Sequence, residues 1–233
     1  MSAPGSPATL ASAVQQPPTF GALFDWDGVI VDSKQLHEAA WDEVAHELGY
    51  PHGPDDFART FGTQNWRAIS EILRWTSDAA EIERISLRKE ALYRQRLPGA
   101  DKILLPGVRE FLTALTDRGV PCAVVSSSPR LNIDVVIDGV ELRSFFRSVI
   151  SSEDAARGKP DPDCFLLGAE RLGLAPERCV VFEDAPVGIE SGQRAGMRVV
   201  ALTTTHPASE LRAAQRIVTG WSPELVEEVC AWF

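Results

Sequence analysis

Phe20-Gly21-Ala22-Leu23-Phe24-Asp25-Trp26-Asp27-Gly28-Val29-Ile30-Val31-Asp32-Ser33 is the stretch on which the fold turns. Its apolar start, Ala22-Leu23-Phe24, stops at two carboxylates one residue apart, followed by glycine. A short apolar run bounded by turn residues reads as a buried strand. Open α/β sheets bind ligands outside the carboxyl ends of such strands. Turn chemistry alone also favours Asp after a strand, so the rest of the chain must decide. Asp25 and Asp27 repel each other, which raises a carboxyl pKa unless a cation is shared. Mg²⁺, a hard cation taking oxygen ligands, answers that repulsion.

Downstream of Ser33 the period changes. Leu36, Ala39, Ala40, Val44 and Leu48 recur at helical spacing, and the helix is expected to end at Gly49 and the Pro51-His52-Gly53-Pro54 cluster. Further helices are expected over Asp55 to Thr60, Trp66 to Trp75 and Ser77 to Leu97, with no strand alternation between Lys34 and Ile103. Beyond Pro106 strands and helices alternate. Apolar strands are expected at Val120 to Val125, Ser148 to Ile150, Cys179 to Phe182, Arg198 to Leu202 and Ile217-Val218. Helices are expected from Pro106 to Arg118, Pro129 to Ile137, Asp161 to Leu172, Pro186 to Ala195 and Ser222 to Cys230. That alternation predicts an α/β fold, a Rossmann-like parallel sheet with helices on both faces and an all-helical insert. The expected division is a disordered leader over 1–18, a core over 19–33 and 105–233, and a helical cap over 34–104.

Composition bounds the function. The chain has 233 residues, is 44% hydrophobic and 24% charged, and carries a net charge of −10. That balance is globular and argues against non-specific nucleic-acid binding. No apolar run reaches the length of a membrane span, and the first 18 residues lack the basic start of a secretory signal. Cys122, Cys164, Cys179 and Cys230 are widely spaced with no CxxC, which suits reduced thiols in the cytoplasm. A monomer or weak dimer without nucleic-acid or membrane partners is expected.

In a parallel sheet the strand ends Asp25/Asp27, Ser126 to Ser128 and Glu183/Asp184 share one edge. Lys159, between Gly158 and Pro160, is held out of a helix by the following proline and supplies a cation. Together these parts suit phosphoryl transfer. A carboxylate attacks phosphorus, Mg²⁺ and fixed donors neutralise the spread charge, and a second carboxylate handles a proton.

The ordered set Asp25-Trp26-Asp27-Gly28-Val29, Val124-Val125-Ser126, Gly158-Lys159-Pro160 and Phe182-Glu183-Asp184 resembles the four motifs of the haloacid dehalogenase superfamily of aspartate-nucleophile phosphotransferases. The resemblance implies Asp25 as nucleophile and metal ligand, and Asp27 as general acid/base and metal ligand through its backbone carbonyl. It further implies Ser126 and the Ser127 N–H as phosphate holders, and Lys159 as the catalytic cation that also balances the phosphate. Asp184 would ligate Mg²⁺, and Glu183 would orient the lysine or a metal-bound water. Asp27 distinguishes the chain from the superfamily's dehalogenases and phosphonatases, which lack this second aspartate.

Asp32-Ser33-Lys34-Gln35-Leu36-His37-Glu38-Ala39-Ala40-Trp41 is similar to the β-phosphoglucomutase-like branch with its small helical cap. In that branch's mutase a histidine matching His37 helps couple cap closure to catalysis. The mutase also carries a cap arginine that grips a distal phosphate. Counting from Gly62, that position is Asn65 here, with Arg67 nearby as a substitute; Pro129-Arg130 stands where the mutase has Lys-Asn. The expected function is a Mg²⁺-dependent phosphatase of a small phosphorylated metabolite, with a hexose phosphate mutase as the alternative. Arg59, Arg74, Arg84, Arg88, Lys89 and Arg94 read as solvated helix faces, and Trp66 and Trp75 as cap core.

Overall fold

Gly21–Phe24 forms β1, buried along its whole length, at the middle of the molecule. The computed structural model describes residues 20–97 and 102–233; the leader expected over 1–18 and the Pro98-Gly99 turn lie outside them. The other strands are β2 (Cys122–Val125), β3 (Phe146–Ile150), β4 (Cys179–Glu183), β5 (Arg198–Leu202) and β6 (Arg216–Val218). Among the described residues they make one six-stranded sheet in the order β3-β2-β1-β4-β5-β6. Every pairing is parallel, with Ala22 flanked by Cys122 and Val180.

Side chains alternate across a strand, and the sheet therefore feeds two cores. Phe24, Val124, Phe182 and Val200 face a layer built from Phe111, Leu112, Ile133 and Leu225. Leu23, Val125, Val181 and Val199 face Phe165, Ala169 and Ile189 on the other side. The covering helices are α5 (Val108–Asp117), α6 (Arg130–Gly139), α7 (Asp163–Leu172), α8 (Pro186–Arg194) and α9 (Pro223–Cys230). Phe24 stacks on Phe182 at 4.7 Å between centroids, with Phe111 edge-on to it. Each such buried ring contributes about 1.5–3 kcal/mol and pins the strand that ends in Asp25.

The insert between β1 and β2 is helical. Its elements are α1 (Lys34–Leu48), α2 (Asp56–Thr60), α3 (Asn65–Arg67) and α4 (Ala79–Gln95). Gly49 closes α1 in the left-handed conformation, φ 73°, donating to Ala45 O. Asp78 caps α4 by accepting from Glu81 N–H. Ala40, Trp41, Phe57, Phe61, Ile69, Leu92 and Tyr93 form a third core, separate from the sheet. The stretch expected as one helix from Trp66 to Trp75 is instead α3 followed by a π turn over Ala68–Ile72. Leu73 N–H reaches Ala68 O there, five residues back. Trp66 is 46% exposed, which corrects its reading as core; Trp75 does pack, stacked on Tyr50. No helix of the described residues is long and apolar enough to cross a membrane. All four cysteines are free, and Cys122, Cys164 and Cys179 are buried.

Candidate active site

Because β1, β2 and β4 run parallel, their carboxyl ends deliver Asp25, Ser126 and Glu183 to one edge. Lys159 arrives from the loop before α7. Its Nζ donates to Asp25 Oδ1 at 2.8 Å, Glu183 Oε1 at 2.6 Å and Val125 O at 3.3 Å. Burial pushes the Lys159 ammonium down, but Asp25 and Glu183 outweigh it and hold it above its ordinary range. Burial also pushes Asp25 up to about 7, against the pull of Lys159. Glu183 is fully employed: Oε2 accepts from Asp184 and Ala185 N–H at 2.8 and 3.0 Å.

Asp184 sits differently. Thr205 Oγ1 donates to its Oδ2, while Oδ1 is buried with no partner. Burial first, then Glu183 and Asp25, drive its carboxyl well above the usual range. Oxygens of Asp25, Glu183 and Asp184 lie within 4.8 Å of one another. A buried, mutually repelling carboxylate cluster with an orphaned oxygen fits a hard divalent cation.

Asp27 turns away from that cluster. Its Oδ1 accepts from Ser33 Oγ at 2.5 Å and His37 Nε2 at 3.1 Å, and its Oδ2 accepts from Ser128 Oγ at 2.5 Å. Burial pushes this carboxyl up, but His37 and the hydrogen bonds from His37, Ser128 and Ser33 outweigh it and hold the group below the usual range. Two carboxylates one residue apart are thus set to opposite protonation tendencies. With Nε2–H on Asp27, His37 Nδ1 accepts from Lys89 Nζ at 2.8 Å. The ring is stacked on Tyr93 at 4.1 Å.

Two glycines make room. At Gly28, φ 78°, a Cβ would fall 2.1 Å from Asp184 Oδ2; at Gly188 a Cβ would fall 1.7 Å from Glu183 Oε1. Gly188→Ala is therefore expected to destabilise the fold by about 1–3 kcal/mol, an overpacking cost, read as a lower urea midpoint. An unchanged midpoint would show that Glu183 can move without penalty.

A cavity of about 40 Å³, room for a few waters, opens over Asp25, Asp27 and Ser126 to Ser128. Its cap side is formed by Trp41, Phe61, Thr63, Asn65, Lys89 and Glu90. Ser126 Oγ accepts from Ser128 N–H at 3.0 Å, which leaves its own proton free to donate. Asn65 lies in this wall and donates to Glu90 Oε1 at 2.8 Å. Arg67 does not: it lies outside the cavity, bonded to Lys159 O and Glu71. Among the described residues no arginine lines the cavity.

Lys89 is 3% exposed, which corrects its reading as a solvated helix face. The signal was present, because Lys89 falls on the α4 stripe of Ile85, Leu92 and Tyr93. Ser33 and Thr205 are site residues that the sequence reading does not single out, and Ser128, placed at the shared edge, has its partner in Asp27. A hydroxyl's partner across the sheet edge leaves no local pattern.

A haloacid dehalogenase-like hydrolase model matches residues 21–196. Hexitol phosphatase A of Escherichia coli is 37% identical over 78% of this chain and 82% of its own length. The chloroplastic 5-amino-6-(5-phospho-D-ribitylamino)uracil phosphatase of Arabidopsis thaliana is 36% identical over 85% of this chain, which spans about half, 53%, of that protein. The solved β-phosphoglucomutase of Clostridium difficile shares the fold with a TM-score of 0.80 at 23% identity, over 89% of this chain and 95% of that one. The chain belongs to the haloacid dehalogenase-like hydrolase family.

Proposed function

We propose that the protein is a Mg²⁺-dependent phosphatase of a small phosphorylated metabolite, of the sugar-phosphate kind, working through an aspartyl-phosphate on Asp25. The observation that carries this reading is the Asp25–Lys159–Glu183–Asp184 cluster beside an Asp27 held apart from it. Relatives named as phosphatases support it. The Asp25 carboxylate attacks phosphorus, and the ester P–O bond breaks toward the leaving alcohol. Asp27 gives that oxygen a proton, then takes one from the water that attacks the phosphoryl group, releasing phosphate and restoring Asp25. Three donors hold Asp27 ionised in the free site, so the proton it gives the leaving oxygen must first be taken up, from solvent or from the entering phosphate monoanion. Ser126 O–H and Ser127 N–H hold the non-bridging oxygens. Asp25, Asp184 and the Asp27 carbonyl would hold the Mg²⁺, and Glu183 would orient Lys159. When bound, the ion would neutralise charge between Asp25 and the transferring group.

We assign the cap to 34–104 and the core to 19–33 with 105–233, a division supported by the separate cap cluster. The four free cysteines support a reducing, cytoplasmic setting, and a monomer or weak dimer is the expected assembly. A mutase is the second reading, favoured by the likeness to the β-phosphoglucomutase fold. Against it, no arginine lines the cavity among the described residues. A phosphate-release screen over sugar phosphates, phosphoglycolate and nucleotides is expected to find Mg²⁺-dependent turnover. Conversion of β-glucose 1-phosphate to the 6-phosphate without phosphate release would decide for the mutase, and no turnover of any ester would overturn both.

A further inference from the structure

Lys89 and Glu90 are adjacent in α4, yet both are buried and both line the cavity, at 3% and 4% exposure. Lys89 Nζ donates to Glu90 Oε1 at 2.8 Å and to His37 Nδ1 at 2.8 Å. Glu90 is held on three sides. Oε1 also accepts from Asn65, and Oε2 accepts from Asn132 of the core helix α6, whose Oδ1 in turn accepts from Arg94. Burial pushes the Glu90 carboxyl up, but Lys89 and the bonds from Lys89 and Asn65 outweigh it and keep it below the usual range. An ion pair buried to this degree is costly to assemble and is weak evidence for stability on its own. The chain nevertheless places it in the wall that meets the leaving group.

The charges in that wall cancel. Lys89 is the one lysine lining the cavity among the described residues, and Glu90 neutralises it at contact distance; His37, also in the lining, is engaged by Asp27. A neutral, hydroxyl-bearing leaving group meets the polar side chains of Thr63 and Asn65 in this wall and no uncompensated charge. A second phosphate finds no uncompensated cation and meets a carboxylate. Discrimination by an unfavourable charge against the wrong ligand is a recognised route to specificity.

We propose that Glu90 is a specificity-determining residue that neutralises Lys89 and so excludes substrates carrying a second phosphate, making the site selective for monophosphates; this rests on the phosphatase reading above. Two variants should move the preference in opposite directions. Glu90→Gln frees the Lys89 charge with little change of shape. Lys89→Met leaves Glu90 uncompensated.

The test is calorimetric binding of glucose 6-phosphate and of glucose 1,6-bisphosphate, with Mg²⁺, in an Asp25→Asn background where nothing turns over. With Glu90 and Lys89 intact, the bisphosphate is expected to bind no more tightly than the monophosphate. Glu90→Gln should shift the ratio of dissociation constants about tenfold toward the bisphosphate, the weight of one partly screened charge contact. Lys89→Met should shift it about as far the other way. Ratios unmoved by both variants, shifts of the same sign in both, or binding of neither ligand would overturn the proposal. Loss of the phosphatase reading shows separately, as no monoester turnover in the unsubstituted protein.

Discussion

Asp25→Asn is expected to lower kcat for any turned-over phosphate ester by at least about ten-thousand-fold, the scale seen when a nucleophile is removed, with the fold retained. Neither neighbour can replace Asp25. Asp27 is held away from the cluster by Ser33, His37 and Ser128, and Glu183 is occupied by Lys159 and two backbone N–H groups. The amide keeps the shape of the carboxylate and can still accept from Lys159, so the urea midpoint should change little. Losing a negative charge also relieves Asp184, whose carboxyl is raised in part by Asp25. Steady-state phosphate release and urea denaturation on one preparation check both halves. Residual activity above a hundredth of the parent's would remove Asp25 from the nucleophile's role.

Lys159→Met should have the largest effect on stability. Its ammonium sits among three buried carboxylates, bonded to two of them, and lies over the Phe165 ring, 5.0 Å from the centroid. Methionine keeps an unbranched side chain of similar length and removes the charge, and with it the contact of the ammonium with the ring. Removing one partner of a buried ion pair costs about 3–5 kcal/mol, because the other charge is left uncompensated. Mg²⁺ should restore part of the loss by mass action on the folded state. The deficit also has a sign in pH. Asp25 is raised from 3.8 to about 7 in the folded protein, so the folded state binds more protons and stability falls as pH rises through that window. Without Lys159, which pulls Asp25 down, the window extends above 7 and the deficit should grow with pH. Urea titrations with and without Mg²⁺ at several pH values read this directly. A loss under about 1 kcal/mol would show that the cluster is not balanced by this lysine.

The sheet and the convergence of its strand ends were legible for a simple reason. Apolar runs such as Ala22-Leu23-Phe24 and Cys179-Val180-Val181-Phe182 each stop abruptly at polar residues, and parallel topology places those stops on one edge. The structure brings Asp25, Lys159, Glu183 and Asp184 together on that logic. What local pattern could not carry is partnership between distant elements. Ser33 and Ser128 are both bonded to Asp27 from segments about a hundred residues apart. Thr205 reaches Asp184 from beyond β5, and Asn132 meets Glu90 across the seam between cap and core. Lys89 carries a charge that reads as a solvated face, yet its period puts it in line with the buried Ile85 and Tyr93. The Trp66 to Trp75 segment departs from its expected single helix for a different reason. Helical spacing does not distinguish an α turn from the π turn over Ala68–Ile72.

The proposed reaction is a double displacement at phosphorus through Asp25. The stereochemical course of transfer from a phosphate ester made chiral with oxygen isotopes tests it most directly, with a small alcohol as the acceptor so that the product ester keeps four distinct substituents. Two successive in-line steps, onto Asp25 and off again, predict net retention of configuration. Inversion would mean that the acceptor attacks the ester directly and would rule out an aspartyl-phosphate on Asp25.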